Sequence, residues 1–161
     1  MTTSPDAVRA HLVRLLEWED AHVSLEQAVA GLPADRRGAR VAGFPHSPWE
    51  LLEHIRIAQA DILEYCTSPT YVHTRRWPED YWPAAAAPPS DAAWADTLER
   101  CRADRRALQA LATTVEDLGR PVPTGAPDHT YLRAFLLAAD HAAYHVGQLV
   151  AVRRALGAWP T

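Results

Sequence analysis

The chain has 161 residues, 48% of them apolar and 22% charged, a balance that allows a packed core and excludes a disordered polymer. Its formal net charge of -4 argues against a nucleic-acid partner, which needs a dense basic face to release counterions. No apolar run approaches the ~20 residues of a membrane span. Residues Met1 to Ala10 also lack a charged-then-apolar signal pattern, so a cytoplasmic protein with no membrane partner is expected.

Four helical stretches are predicted, and no strand pattern competes with them. Ser4-Pro5 opens the first, with Ser at the N-cap and Pro at the first helical position. Val8, Leu12, Leu15, Trp18, His22 and Val29 recur near a 3.6-residue period, which predicts one helix running to about Ala30. Ser47-Pro48-Trp49-Glu50 is a capping box and starts the second helix, whose buried stripe is Leu51, Ile55, Ala58, Ile62 and Cys66. Residues 68–89 then form a long connection with five prolines and the aromatics Tyr71, Trp77, Tyr81 and Trp82. Long connections in compact domains are functional or disordered, and the aromatic content argues against disorder. An ordered arm over the bundle is expected, covering a site mouth or a subunit contact. Ser90 caps the third helix, which runs to about Glu116, and the fourth spans about Thr130 to Leu156 before Gly157.

Helices of this length in residues 1–161 imply an all-α, single-domain four-helix bundle. The long connection between helices two and three permits a crossover, with those two helices packed parallel. Cys66 and Cys101 both fall inside helices and no C-x-x-C motif occurs, so both read as small packing residues in a reducing compartment.

Among the eight histidines, His141 and His145 are spaced four apart on the last helix, one turn apart on one side and near enough to share a metal. They lie on a flank of that helix's apolar face. His54 sits about 100° from Ile55 on the second helix, beside its stripe. Together they make three neutral nitrogen donors, a set that leaves coordination positions open as catalytic sites do. By spacing alone, surface or capping histidines explain the pair equally well. The sequence is not His-Glu-x-x-His, which excludes the metalloprotease pattern. His22 is placed on the inward stripe of helix one. A satisfied core histidine accounts for it, and the sharper reading makes it a catalytic proton carrier at the metal cleft. Asp61 shares a face with His54, although two turns is a long reach for orienting it. His11, His46, His73 and His129 fall near ends or loops and read as solvated. Packing or solvent accounts for Tyr144, Gln148 and Trp82.

Three blocks, Pro45-His-Ser-Pro-Trp-Glu-Leu-Leu-Glu-His-Ile-Arg-Ile-Ala-Gln59, Trp77-Pro-Glu-Asp-Tyr-Trp-Pro83 and Asp140-His-Ala-Ala-Tyr-His-Val-Gly-Gln148, resemble the DinB-like family of small metal-binding bundles. The resemblance implies a four-helix bundle, often a homodimer, with a zinc- or nickel-type divalent ion on His54, His141 and His145. It also implies thiol chemistry, either thiol-dependent isomerisation or transfer of a low-molecular-weight thiol. The expected function is therefore a metal-dependent thiol transferase or hydrolase acting on a small electrophile. A metal-containing bundle that binds a small ligand without turnover is the alternative.

Overall fold

The structure is a computed structural model that describes residues 5–17 and 21–160. It is built from helices α1 (Pro5–Leu15), α2 (Leu25–Val29), α3 (Pro48–Thr67), α4 (Asp91–Thr114) and α5 (Tyr131–Ala155). Short 3-10 turns at Ala34–Arg36 and Glu79–Tyr81 complete the order. Among the described residues there is no strand, only an isolated backbone bridge between Pro121 and Thr130. Four major helices in an all-α bundle agree with the sequence pattern.

The expected continuous first helix is corrected. It ends at Leu15, and α2 starts only at Leu25. The cause of the restart is local and legible. Ser24 Oγ accepts from the Gln27 amide at 3.2 Å, while Gln27 Oε1 accepts from the Ser24 amide at 2.9 Å. This capping box satisfies two orphan helix donors and begins a new helix inside what looked like one period. Ser4 and Trp18 lie outside the described residues.

The break divides the apolar interior. The α2 residues Leu25, Ala28 and Val29 pack with Leu51, Leu52 and Ile55 of α3, Trp94 of α4 and Leu149 of α5. Leu12 of α1 packs in a second cluster with Cys66, Leu108, Ala112 and Phe135. Both cysteines are free and buried, and burial pushes each thiol up to about 12, which suits packing and not thiolate chemistry.

Helices α3 and α4 run parallel. Early meets early, as Thr97 Oγ1 donates to Glu53 Oε2 at 2.9 Å, and later meets later, as Gln59 Nε2 donates to the Cys101 carbonyl at 2.6 Å. Helix α5 is antiparallel to α3, for the Tyr131 hydroxyl donates to the Cys66 carbonyl at 3.1 Å, while the far end of α5 lies beside Leu51. The 68–89 connection is therefore the expected crossover, and it packs along α3. Its far end is pinned where α3 begins: Ser47 Oγ donates to the Ala86 carbonyl at 2.5 Å. There the chain passes so close to the 31–46 connection that a Cβ on Gly38 would stand 2.3 Å from the Ala87 Cβ. Among the described residues, no helix is long and apolar enough to cross a membrane.

Ser24 and Ser47 both cap helices, but only Ser47 also holds the arm. Ser24→Ala is expected to cost about 1 kcal/mol, the usual loss for an N-cap. Ser47→Ala should cost about 2 kcal/mol, since a second hydrogen bond goes with the cap. At roughly 2–4 °C per kcal/mol for a chain of this size, thermal unfolding resolves the two. Equal shifts would show that the Ala86 contact contributes nothing.

Candidate metal centre

Helix α3 begins with Pro48 at its first position, and its capping box sets the phase that turns His54 to the flank facing α5. The i, i+4 spacing on α5 turns His141 and His145 toward the same place. The three rings meet there. One ligand nitrogen from each lies within 4.8 Å of the others, with His54 and His145 buried and His141 half-buried. His54 Nε2 and His141 Nε2 are 3.0 Å apart. Nitrogens bound to one ion at about 2.1 Å stand roughly 3.0–3.4 Å apart, so the spacing suits adjacent ligands.

The partners on the other side of each ring decide which nitrogen carries a proton. His54 Nδ1–H donates to the Tyr81 carbonyl at 2.8 Å, and His145 Nδ1–H donates to Gln148 Oε1 at 2.8 Å. Both Nε2 atoms are then bare lone pairs aimed into the cluster, the arrangement that orienting hydrogen bonds impose on metal-binding histidines. Such converging acceptors require a proton or a cation between them. The donor set fits a divalent ion.

Electrostatics keeps the rings in the neutral form that binds metal. Burial, then the neighbouring His145 and His54, push His141 down to about 4. Burial also brings His145 down to about 4, against the opposing bond from Gln148. His54 is lowered by burial, partly offset by its bond to Tyr81.

The arm forms the wall. Trp82 lies flat on His54, centroids 3.8 Å apart and planes 2° from parallel. His46 covers the opposite face of Trp82 at 3.7 Å. The reading of His46 as solvated is thus corrected: it is half-buried in a His–Trp–His stack, and desolvation lowers its pKa. The exposed rings of Trp77 and Tyr144 stand beside the cluster, 6.4 Å from His54 and 4.9 Å from His145 respectively. A cavity of about 370 Å³ adjoins it, lined by Phe44, His46, Tyr144 and Gln148 among others.

His22 is not brought into this group. It is exposed in the connection before α2, with Nδ1 2.8 Å from the Val23 carbonyl. It lines a different cavity of about 890 Å³, between that connection and α5, to which none of the three clustered histidines contributes. Its inward placing rested on a first helix that does not continue past Leu15. Of the other histidines read as solvated, His11 and His73 are exposed, although His73 bonds the Tyr81 hydroxyl. His129 is half-buried against the Tyr65 hydroxyl at 2.7 Å. Sequence reasoning also left Gln148 and the Tyr81 carbonyl without roles. The i, i+3 spacing of Gln148 from His145 was a usable signal; a backbone carbonyl gives none.

The sequence matches the family described as the DinB superfamily over residues 17–149, most of the chain. No curated protein matches it.

Histidines in an unfolded chain titrate near 6.5, whereas His141 and His145 are held at about 4, so between these values the unfolded state binds more protons. The metal-free protein should hold this contribution to stability above about pH 6.5 and lose it progressively as pH falls toward 4. His141→Gln removes one such group. Urea midpoints of the metal-free proteins should therefore fall less steeply across this window in the variant than in the wild type. Identical slopes would mean that His141 titrates normally.

Proposed function

Because the chain belongs to the DinB superfamily, we propose that it is a divalent-metal-dependent enzyme that transfers a low-molecular-weight thiol, or water, to a small electrophile. The observation that supports this is the cluster of His54, His141 and His145, three neutral donors among the four to six that a divalent ion takes. A divalent ion held there would lower the pKa of a thiol or water and keep its conjugate base available as nucleophile near neutral pH. Zinc or nickel is the proposed ion, both being suited to imidazole.

The chain's own residues supply orientation and shape. Tyr81 and Gln148 hold the His54 and His145 rings with Nε2 inward. Trp82 covers one face of His54 and keeps water from it. The adjoining cavity of about 370 Å³ is at the small end of ligand sites, which supports a small substrate. His46 and Tyr144 on its wall offer polar atoms beside otherwise apolar Phe44, Leu51 and Val152. The homodimer belongs to the same proposal, supported by Leu136 and Leu137, which are 45% and 44% exposed on α5. Two free, buried thiols support a reducing, cytoplasmic setting.

Elemental analysis of untagged protein should find one divalent ion per chain, and His141→Ala should lose it. Loss of an electrophile should then depend on both the ion and an added thiol, or on the ion and water alone. Protein without stoichiometric metal would remove the basis of the proposal. Metal without turnover by any nucleophile would leave the non-catalytic binding bundle in its place.

A further inference from the structure

Asp61 lies on α3 two turns beyond His54 and is buried, at 8% exposure. A buried carboxylate is tolerated where donors surround it. Here the donors come from the arm. The Tyr81 hydroxyl donates to Oδ2 at 2.5 Å, Arg75 Nη1 to Oδ1 at 2.6 Å, and the Tyr71 hydroxyl to Oδ1 at 3.2 Å. His73 Nε2 stands 3.0 Å from the Tyr81 oxygen, which is left to accept because its own proton goes to Asp61.

Tyr81 thus has two attachments to α3. Its side chain is bound to Asp61, and its main-chain carbonyl accepts the His54 Nδ1–H at 2.8 Å. The two turns that separate Asp61 from His54, too far for direct contact, are spanned by this one residue. Trp82 follows it in the chain and lies against the His54 ring at 3.8 Å, so the same anchor places the wall of the cluster. A carbonyl at the end of an arm fixes a ring only if the arm itself is fixed.

We propose that Asp61 is a positioning residue for the histidine cluster: through Tyr81 it sets the tautomer and orientation of His54 and seats Trp82 on it. The consequence for metal affinity rests on the proposed metal site. The tautomer link concerns the metal-free protein and stands apart from it.

Three substitutions separate this role from general anchoring. Asp61→Asn keeps the shape but leaves one oxygen for three donors. Tyr81→Phe keeps the main-chain carbonyl and removes only the hydroxyl. Tyr71→Phe removes a donor to the same carboxylate from a residue that does not touch His54. Imidazole nitrogen NMR of the metal-free proteins reads the His54 tautomer, and competition with a chromogenic chelator reads zinc affinity.

Asp61→Asn and Tyr81→Phe should each convert His54 from the Nδ1–H tautomer to a mixture, and each should weaken zinc binding about 10–100-fold, the usual effect of losing an orienting partner. The double variant should be no weaker than the worse single one, since both act through one contact. Tyr71→Phe should keep the tautomer and wild-type affinity. A retained tautomer in both Asp61→Asn and Tyr81→Phe overturns the proposal, as does a loss with Tyr71→Phe equal to theirs. Where Asp61→Asn fails to fold by circular dichroism, Tyr81→Phe decides alone. A wild type that binds no zinc removes the metal site but leaves the NMR result to decide the link.

Discussion

Parallel packing of α3 and α4 is the constraint from which the site follows. Two consecutive helices can lie parallel only if the chain between them returns the length of the first, roughly 30 Å for twenty residues at 1.5 Å each. Residues 68–89 make that return along α3 and must pass His54 on the way. They pass it with Tyr81 and Trp82, and the carbonyl of one and the ring of the other complete its surroundings. A short hairpin between α3 and α4 would leave the α3–α5 flank open and His54 without a partner on Nδ1. The arm that the topology requires is also the wall that the cluster needs.

Desolvation then settles the protonation of the histidines. Three imidazoles within 4.8 Å of one another cannot all carry charge away from water, and burial is the first cause of the lowered pKa at each ring. Their closeness reinforces it, since a charge on any one ring, or on His46 beside them, would disfavour charge on its neighbours. The polar groups that do touch the rings, the Tyr81 carbonyl and Gln148 Oε1, are acceptors that take the Nδ1 protons. Removing water and supplying acceptors on the outer side leave lone pairs on the inner one.

Much of this was legible from local pattern. The Ser47 capping box, the His141–His145 spacing and the placing of His54 beside its apolar stripe each depend on residues within a turn or two of one another, and each agrees with the structure. The Ser24–Gln27 box was equally local but was hidden by an apolar period that runs through it, so one helix was read where two exist. The role of His46 was not legible, because its burial comes from Trp82, 36 positions away in a segment without periodicity. Asp61 and His54 were placed on one face, but their connection runs through a residue twenty positions further on. Contacts made by a crossover arm depend on its path in space, and no period encodes that path.

The three histidines are not equivalent. His54 is held by the arm through Nδ1 and stacked under Trp82, and His145 is held by Gln148 on its own helix. His141 is half-buried, and among the described residues its Nδ1 has no hydrogen-bond partner; its contacts are with the other two rings. Two of the rings are therefore held on their outer side by the fold. The third is held on its inner side, where its Nε2 stands 3.0 Å from that of His54. The cluster thus has a tethered member on each helix, His54 on α3 and His145 on α5, and one member, His141, without an outer tether. The ring without an outer partner is also the one nearest solvent, His54 and His145 both being buried. The outer hydrogen bonds fall on the two rings that burial deprives of water.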